Sequence, residues 1–329
     1  MSQQKSRIAV VGLGKMGLLH SCILNVIPDV KLVALCDKSY LMRRICGKLY
    51  RKVKVVDDVQ KLSELELDAV YVTTPIPSHF AIIKSIYENE IAPSVFTEKT
   101  LASTYSQAEK LADLAESVNG VNMVGYMKRF AVTFQKAKHV LEEGVLGGIE
   151  SFEAYAYSSD FAYLEGVSKA GGSRGGVLGD LGSHIVDLSL WFFGDIQIES
   201  SSIESVTSLG SEDHAHFTVE GSGGVDGVFD VSWCKKGYRM PEFGLAIKGR
   251  KGSLTVNDDE VALRLETESK KYYRQDLNDN VDFLIGGAEY FREDNAFVES
   301  LLSGKVVEPS FRTASRVERL LEQVKLRAD

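Results

Sequence analysis

The chain has 329 residues, 44% hydrophobic and 26% charged, so it is long enough for two globular domains and has neither a disordered nor a membrane composition. Its net charge of -8 argues against a nucleic acid or an anionic membrane as the main partner. Residues 2–7 are polar, and no apolar run approaches the roughly 20 residues that span a bilayer. Because the four cysteines show no metal-binding spacing, we expect reduced thiols in a cytoplasmic protein without a signal peptide.

A glycine-rich loop follows the first predicted strand. The β-branched run 7–12 leads into the pattern GxGxxG, a helix-like segment follows at 18–24, and a second apolar run at 31–36 ends in an acid. In this arrangement the first glycine permits a tight turn, the second lets a pyrophosphate approach, and the third lets the helix pack on the strand. The loop therefore predicts a dinucleotide site formed by Gly12, Leu13, Gly14, Lys15, Met16 and Gly17. The alternative is a glycine-rich turn in another α/β unit.

The acid at the end of the second strand predicts which dinucleotide is bound. Asp37 lies 20 residues beyond Gly17, where a carboxylate can accept both ribose hydroxyls of the adenosine and repel a 2′-phosphate. We therefore expect NAD as the cofactor. The nearby Lys38, Arg43 and Arg44 can hold a 2′-phosphate, so NADP stays open.

Strands and helices continue to alternate up to about residue 125, which predicts a parallel, doubly wound sheet. Ligands of such sheets bind beyond the carboxyl ends of the strands. Further cofactor-binding residues predicted at these ends are Thr74, Pro75, Glu98 and Lys99.

From about residue 149 the pattern changes to a period of two, which predicts a mainly antiparallel sheet with one face open to water or to a partner. We expect an α/β Rossmann domain over 1–124 and, over 125–329, an α+β domain with a large open sheet for substrate binding and oligomerisation. His214 and His216 share one strand face, but no third ligand accompanies them, so we expect no metal site.

The stretch 179–187 joins acids and an imidazole within one predicted helix. Asp180, His184 and Asp187 are spaced i, i+4 and i+7, so in an α-helix they share a face. Carboxylates beside an imidazole can orient it and tune it for acid–base work near neutral pH. The alternative is a buried helix with a polar edge and an ordinary histidine.

These motifs occur in the order GxGxxG, Glu98-Lys99, 126–130 and 180–187, and together they resemble the Gfo/Idh/MocA oxidoreductases, the glucose–fructose oxidoreductase and inositol dehydrogenase group. The resemblance extends from residue 7 to the 320s. It implies that Lys99 lies beside the nicotinamide, that His184 is the acid/base and that Asp180 positions a hydroxyl or the imidazole. It also places His79 near the nicotinamide ribose, with an ordinary histidine at a helix N-terminus as the alternative. We expect Asp187 to be structural.

The chain departs from the family at Thr100, where a proline is usual. A cis peptide bond before a residue other than proline costs about 3 kcal/mol, so we expect a trans bond between Lys99 and Thr100. Weaker predictions for substrate contact, with surface salt bridges or loop polarity as alternatives, are Lys128, Arg129, Asp160 and Arg174.

The resemblance implies an NAD(P)-dependent dehydrogenase or reductase that acts on a secondary hydroxyl or ketone of a sugar, polyol or sugar derivative. The alternatives are a glycoside hydrolase that uses transient oxidation and a sugar or dinucleotide sensor without turnover. Lys99, Asp180 and His184 together argue against the sensor. A homodimer or homotetramer is the assembly that the resemblance implies.

Overall fold

The computed structural model describes residues 5–162, 175–205 and 211–328. The chain divides into two compact units, one comprising Met1–Met127 with Val281–Glu318 and the other comprising Lys128–Asn280 with Arg319–Asp329.

The first unit is built on a parallel sheet of six strands in the order β3-β2-β1-β4-β5-β6. The strands are β1 (Ser6–Val11), β2 (Val30–Cys36), β3 (Lys54–Val56), β4 (Ala69–Val72), β5 (Ser94–Glu98) and β6 (Asn122–Gly125). Strand β4 is buried along its whole length and β1 is apolar from residue 8 to 11, because helices cover both faces of such a sheet. The strand order reverses between β1 and β4, and ligands of doubly wound sheets bind outside this point.

The helices of the first unit are α1 (Lys15–Val26), α2 (Tyr40–Leu49), α3 (His79–Glu88), α4 (Tyr105–Ser117) and α7 (Ala288–Ser303), with 3-10 turns at Val59–Leu65 and Ile76–Ser78. The alternating pattern predicts α1, α3 and α4, whereas it does not predict α2, and the helix expected at 59–65 is a 3-10 turn. Helix α8 (Phe311–Arg327) begins in this unit and ends in the second. Ser39 and Thr104 cap α2 and α4 by accepting backbone N–H groups, as serine and threonine commonly do.

The sequence-based assignment of residues 281–318 to the second domain differs from the structure, which groups them with the first unit. The reason is long-range apolar packing. Phe297 of α7 packs edge-on against Tyr71 and Phe96, with ring centroids 5.4 and 5.7 Å away, and all three rings are buried. The break near residue 125 also falls slightly later, after Met127.

The second unit contains a sheet of eight strands in the order β14-β13-β12-β11-β7-β10-β9-β8. Its neighbouring strands are antiparallel except β7 and β10, which are parallel. The strands are β7 (Ile149–Tyr157), β8 (Ile196–Glu204), β9 (His214–Gly221), β10 (Val225–Ser232), β11 (Glu242–Gly249), β12 (Gly252–Asn257), β13 (Glu260–Leu265) and β14 (Ser269–Tyr273).

Alternating side chains give this sheet one buried and one more exposed face. Phe152, Ala154 and Ala156 of β7 are buried, whereas Glu153 on the other face is exposed. Helix α5 (Val132–Glu142) packs on β12 and β13, helix α6 (Ser183–Phe193) packs on β7, and a 3-10 turn at Met127–Phe130 precedes α5. The fold class predicted from the sequence is confirmed in both sheets.

All four cysteines are free thiols. Among the described residues, no helix has the length and apolar character of a membrane span. The same residues contain no group of three or more His, Cys, Asp or Glu side chains that could hold a metal ion.

Candidate active site

The glycine loop between β1 and α1 leaves space above a helix N-terminus. Gly12 has a φ of +95°, and a Cβ on it would lie 2.8 Å from Thr74, so both backbone and space favour glycine there. A Cβ on Gly17 would lie 1.8 Å from the carbonyl oxygen of Gly12. A Cβ on Gly14 would meet no protein atom within 4 Å, and no side chain caps α1. This open glycine beside exposed helical N–H groups fits a pyrophosphate.

Asp37 lies at the end of β2 and is tied to this loop. Its Oδ2 accepts the N–H of Leu13 at 2.6 Å, and its Oδ1 accepts the N–H of Ser39 at 2.6 Å. Each carboxylate oxygen has a second lone pair, so the group can still accept ribose hydroxyls. Arg43 donates to the carbonyl oxygens of Asp37 and Lys38, both at 2.8 Å, which holds its guanidinium beside the same strand end.

The buried side chain of His79 contacts the segments that follow β4 and β5. Its ring is fully buried, with Nε2 2.7 Å from the carbonyl oxygen of Thr74 and Nδ1 2.9 Å from that of Thr100. Burial lowers its pKa, so the neutral ring is favoured. Both ring nitrogens face protein carbonyls, and the neutral ring donates to one of them. This geometry favours the structural alternative for His79, and contact with the cofactor stays a prediction, as it does for the half-buried Thr74 and the exposed Pro75.

The peptide bond between Lys99 and Thr100 is cis, so the expectation of a trans bond is wrong. Contacts of Thr100 with His79 and Ala102 fix the backbone at this position, where the family usually has a proline. Thr100 is 5% exposed, its carbonyl oxygen faces the ring of His79, and its Oγ1 donates to the carbonyl oxygen of Ala102 at 3.3 Å. Local preference is overruled where surrounding structure fixes the backbone in this way.

Glu98 belongs to a buried charged cluster that the sequence analysis did not identify. Its Oε1 lies 3.0 Å from Nε2 of His20, and its Oε2 accepts the N–H of Lys99 at 3.2 Å. Nδ1 of His20 lies 2.8 Å from the Asp294 carboxylate. Burial alone lowers the pKa of His20, but the charges and hydrogen bonds of Asp294 and Glu98 outweigh it and raise that pKa well above its usual value.

In the second unit, the predicted helix begins with a π-helical turn at Leu178–Gly182 and continues as α6. Asp180 lies in the π turn and is half-buried, whereas His184 lies in the first turn of α6 and is 4% exposed. π turns occur frequently at functional sites. The His184 ring meets the edge of the Phe243 ring with centroids 5.2 Å apart, so an aromatic contact fixes the imidazole.

Asp187 and Arg129 form a buried pair. Nε and Nη2 of Arg129 donate to the two Asp187 oxygens at 2.8 and 2.7 Å, and the side chains are 7% and 1% exposed. This bidentate pairing ties α6 to the turn at Met127–Phe130 and agrees with a structural role for Asp187.

Lys128 also forms a buried ion pair, with Asp258, and its Nζ lies 4.8 Å from the centroid of the Phe243 ring. The salt bridges considered for Lys128 and Arg129 are therefore present, but they are largely buried and do not lie on the surface. Substrate contact by either residue stays a prediction.

The remaining predicted residues lie elsewhere. Asp160 is exposed in the turn after β7, and Arg174 lies outside the described residues. His214 pairs with Asp230 at 2.7 Å, and His216 is exposed.

Some of the missed residues had a detectable signal. Glu289, Glu293 and Phe297 are spaced i, i+4 and i+8, and all three are buried in α7. Acids on the apolar stripe of a helix indicate buried partners. Phe243 had no such signal, because an aromatic residue in a strand is ordinary.

Family models match both units. Residues 6–126 match the NAD-binding Rossmann domain of an oxidoreductase family, and residues 134–255 match the GFO/IDH/MocA C-terminal domain. The chain belongs to the Gfo/Idh/MocA oxidoreductase family. The resemblance predicted from the sequence is confirmed, and with it the NAD-binding character of the first unit.

The curated Gfo/Idh/MocA relatives include dehydrogenases of sugars and inositols. The D-apiose dehydrogenase of Paraburkholderia graminis is 25% identical over 80% of this chain and 69% of its own length. The inositol 2-dehydrogenase of Rhizobium meliloti is 20% identical over 92% of this chain and 91% of its own.

A solved structure of levoglucosan dehydrogenase with NADH and L-sorbose superposes with a TM-score of 0.87 at 19% identity, covering 99% of this chain and 97% of the other. At that identity it shows the shared fold.

Proposed function

We propose that this chain is an NAD-dependent dehydrogenase or reductase that moves a hydride between nicotinamide and a secondary hydroxyl or ketone of a sugar, polyol or sugar derivative. The match of both units to one oxidoreductase family carries the proposal. Its relatives named as apiose and inositol dehydrogenases support the substrate class.

Bound NAD supplies the hydride chemistry, and the residues of this chain bind it and move the proton. The glycine loop would hold the pyrophosphate at the N-terminus of α1, and Asp37 would accept ribose hydroxyls. The negative charge of Asp37 disfavours a 2′-phosphate, so we propose NAD as the preferred cofactor, with NADP as a weaker one.

In the proposed mechanism His184 takes the proton from the reacting hydroxyl and returns it in the reverse direction. Lys99 donates a hydrogen bond to the same oxygen and stabilises the negative charge that develops there. Asp180 binds a neighbouring hydroxyl or orients the imidazole. The edge-to-face contact with Phe243 orients the His184 ring, and Lys128, which is paired with Asp258, packs on the same Phe243 ring.

The proposal is tested by incubating the purified protein with NAD or NADP and a panel of inositols, aldoses and aryl glycosides. We expect at least one polyol or sugar to reduce NAD, which the absorbance of the reduced nicotinamide measures. Reduction of NADP by the same compound should be slower. Release of an aryl leaving group without net reduction of NAD would indicate the glycoside hydrolase instead. Binding without either reaction would indicate a sensor.

We further propose that the protein is a cytoplasmic homodimer or homotetramer. The more exposed face of the eight-stranded sheet, which carries Glu153 and the half-buried Tyr155 and Tyr157, supports self-association through that face. Light scattering after size-exclusion chromatography gives the mass, and a monomer at micromolar concentration would contradict the assembly.

A further inference from the structure

The charged cluster around His20 is not used by the proposed chemistry, although it is buried in the first unit. His20, Glu293 and Asp294 are completely buried, and the Glu98 side chain is 12% exposed. Burying several ionisable groups together is costly unless they are paired. The arrangement therefore calls for an explanation beyond packing.

The contacts of the cluster form a continuous chain from α7 to the residue that carries the proposed catalytic amine. Asp294 contacts Nδ1 of His20 with both oxygens, at 2.8 and 3.0 Å. Nε2 of His20 contacts Oε1 of Glu98 at 3.0 Å, and Oε2 of Glu98 accepts the Lys99 N–H at 3.2 Å. A neutral imidazole can donate from only one nitrogen, whereas an imidazolium donates to both carboxylates at once.

We propose that His20 is a positioning residue which, as an imidazolium clamped by Asp294, fixes the Glu98 carboxylate and through it the backbone that presents Lys99. This inference rests on the proposed function for its effect on turnover. The predicted effect on the Lys99 backbone does not depend on the proposed function.

Several titratable groups surround His20, and of these Asp294 and Glu98 favour its protonated form. The surrounding groups come from three elements and are Asp294, Glu293 and Tyr290 of α7, Glu98 of β5 and Tyr71 of β4, and Glu289 of α7 acts on Glu293. Burial, and then the charge of Glu98, raise the pKa of Glu293 well above its usual value, which favours its neutral form. The pairing partners of His20 are Asp294, which contacts it with both oxygens, and Glu98.

Two adjacent, completely buried acids of α7 provide a matched test. Asp294→Asn keeps the shape but removes the charge that supports the imidazolium. Glu293→Gln replaces a neutral acid by a neutral amide next to it. Hydrogen exchange of the Lys99 N–H, measured in a peptide spanning Lys99, reports on the backbone without any substrate. NADH binding checks that each variant is folded.

We expect Asp294→Asn to accelerate exchange of the Lys99 N–H about 10-fold and to lower kcat on the order of 10-fold with little change in the KM for NAD. Its kcat should also acquire a falling limb as pH rises through neutrality, because the weakened clamp releases the His20 proton. Glu293→Gln should match the parent protein in the exchange rate of the Lys99 N–H, in kcat and in the pH dependence of kcat. His20→Gln, which keeps a donor but cannot titrate, should lower kcat without the new limb.

Equal exchange of the Lys99 N–H in Asp294→Asn and the parent protein would overturn the positioning role, even with a loss of stability. A pH limb that appears in Glu293→Gln as well would also overturn it. If no compound of the panel is turned over by the parent protein, the proposed function fails, and the exchange measurement still decides this inference.

Discussion

Asp37 joins the two parts of the predicted nucleotide site, because one carboxylate accepts the Leu13 N–H of the glycine loop and the Ser39 N–H that follows β2. The sequence spacing predicted an acid for the ribose. It could not predict the Leu13 contact, which depends on how the loop folds back over 24 residues. The residue therefore orders the loop as well as offering lone pairs to a ligand.

Removing this charge should change cofactor preference. We expect Asp37→Asn to weaken NAD binding about 10-fold, or ~1.4 kcal/mol, and to shift the ratio of NADP to NAD affinity in favour of NADP. Titration of each reduced cofactor by fluorescence measures both. Asp57→Asn is the control, since Asp57 is an exposed acid paired with Lys61. Identical affinities in both variants would rule out the role of Asp37.

Glu293 should make stability depend on pH. Burial raises its pKa, so the folded state holds the proton more tightly than the unfolded state. Its contribution is complete below the usual glutamate pKa of 4.5 and is lost as pH rises towards the higher pKa of the folded state. Each tenfold difference in proton affinity between the two states corresponds to ~1.4 kcal/mol. The free energy of unfolding of Glu293→Gln should therefore fall less between pH 5 and 8, roughly the window above the usual pKa.

Urea unfolding at several pH values measures this slope. The control is Glu299→Gln, which changes an exposed acid on the same helix and should retain the slope of the parent protein. A slope for Glu293→Gln that equals the parent's would contradict the assignment of a neutral buried acid.

At the scale of elements, the space around the backbone determines which residues fit in the first turn of α1. The GxGxxG pattern predicted which glycine serves which purpose, and the structure supplies the distances. Gly17 lies under the Gly12 carbonyl, whereas Gly14 faces open space. The π turn before α6 was not predictable, because the sequence spacing of Asp180 and His184 fits an α-helix equally well.

Two alanine variants separate folding from binding in this loop. Gly17→Ala places a Cβ 1.8 Å from a backbone oxygen, so we expect a loss of about 3 kcal/mol in the free energy of unfolding. Gly14→Ala should change stability by less than about 1 kcal/mol but lower NADH affinity at least 10-fold, because its Cβ occupies the space for the pyrophosphate. Thermal unfolding and NADH titration measure the two effects. Equal stability losses in both variants would contradict this division of roles.

At the scale of the whole molecule, the chain returns to its first unit after the second sheet is complete. The alternation of strands and helices predicted the first sheet and the period of two predicted the second, but neither could predict the return of residues 281–318. The contact between His20 and Asp294 joins residues 274 positions apart, and periodicity within short windows carries no information on such pairs. The acids on the buried stripe of α7 were the one local indication.

The return predicts the behaviour of fragments. Residues 1–127 alone should lack cooperative unfolding, because Tyr71, Phe96 and His20 lose the cover of Phe297 and Asp294. The same fragment joined to residues 281–318 by a short Gly/Ser linker should unfold cooperatively and bind NADH. Circular dichroism on heating compares the two. Cooperative unfolding of 1–127 alone would show that α7 is not needed for this unit.

The central claim is that Lys99 and His184 carry the chemistry while the glycine loop and Asp37 hold the cofactor. It is tested most directly by measuring NAD reduction with the best compound of the panel in the parent protein, Lys99→Ala and His184→Ala, with NADH affinity measured in parallel. We expect each substitution to lower kcat at least 100-fold, on the scale of lost acid–base catalysis, and to change NADH affinity less than about threefold. Parent-like turnover in both variants would contradict the account.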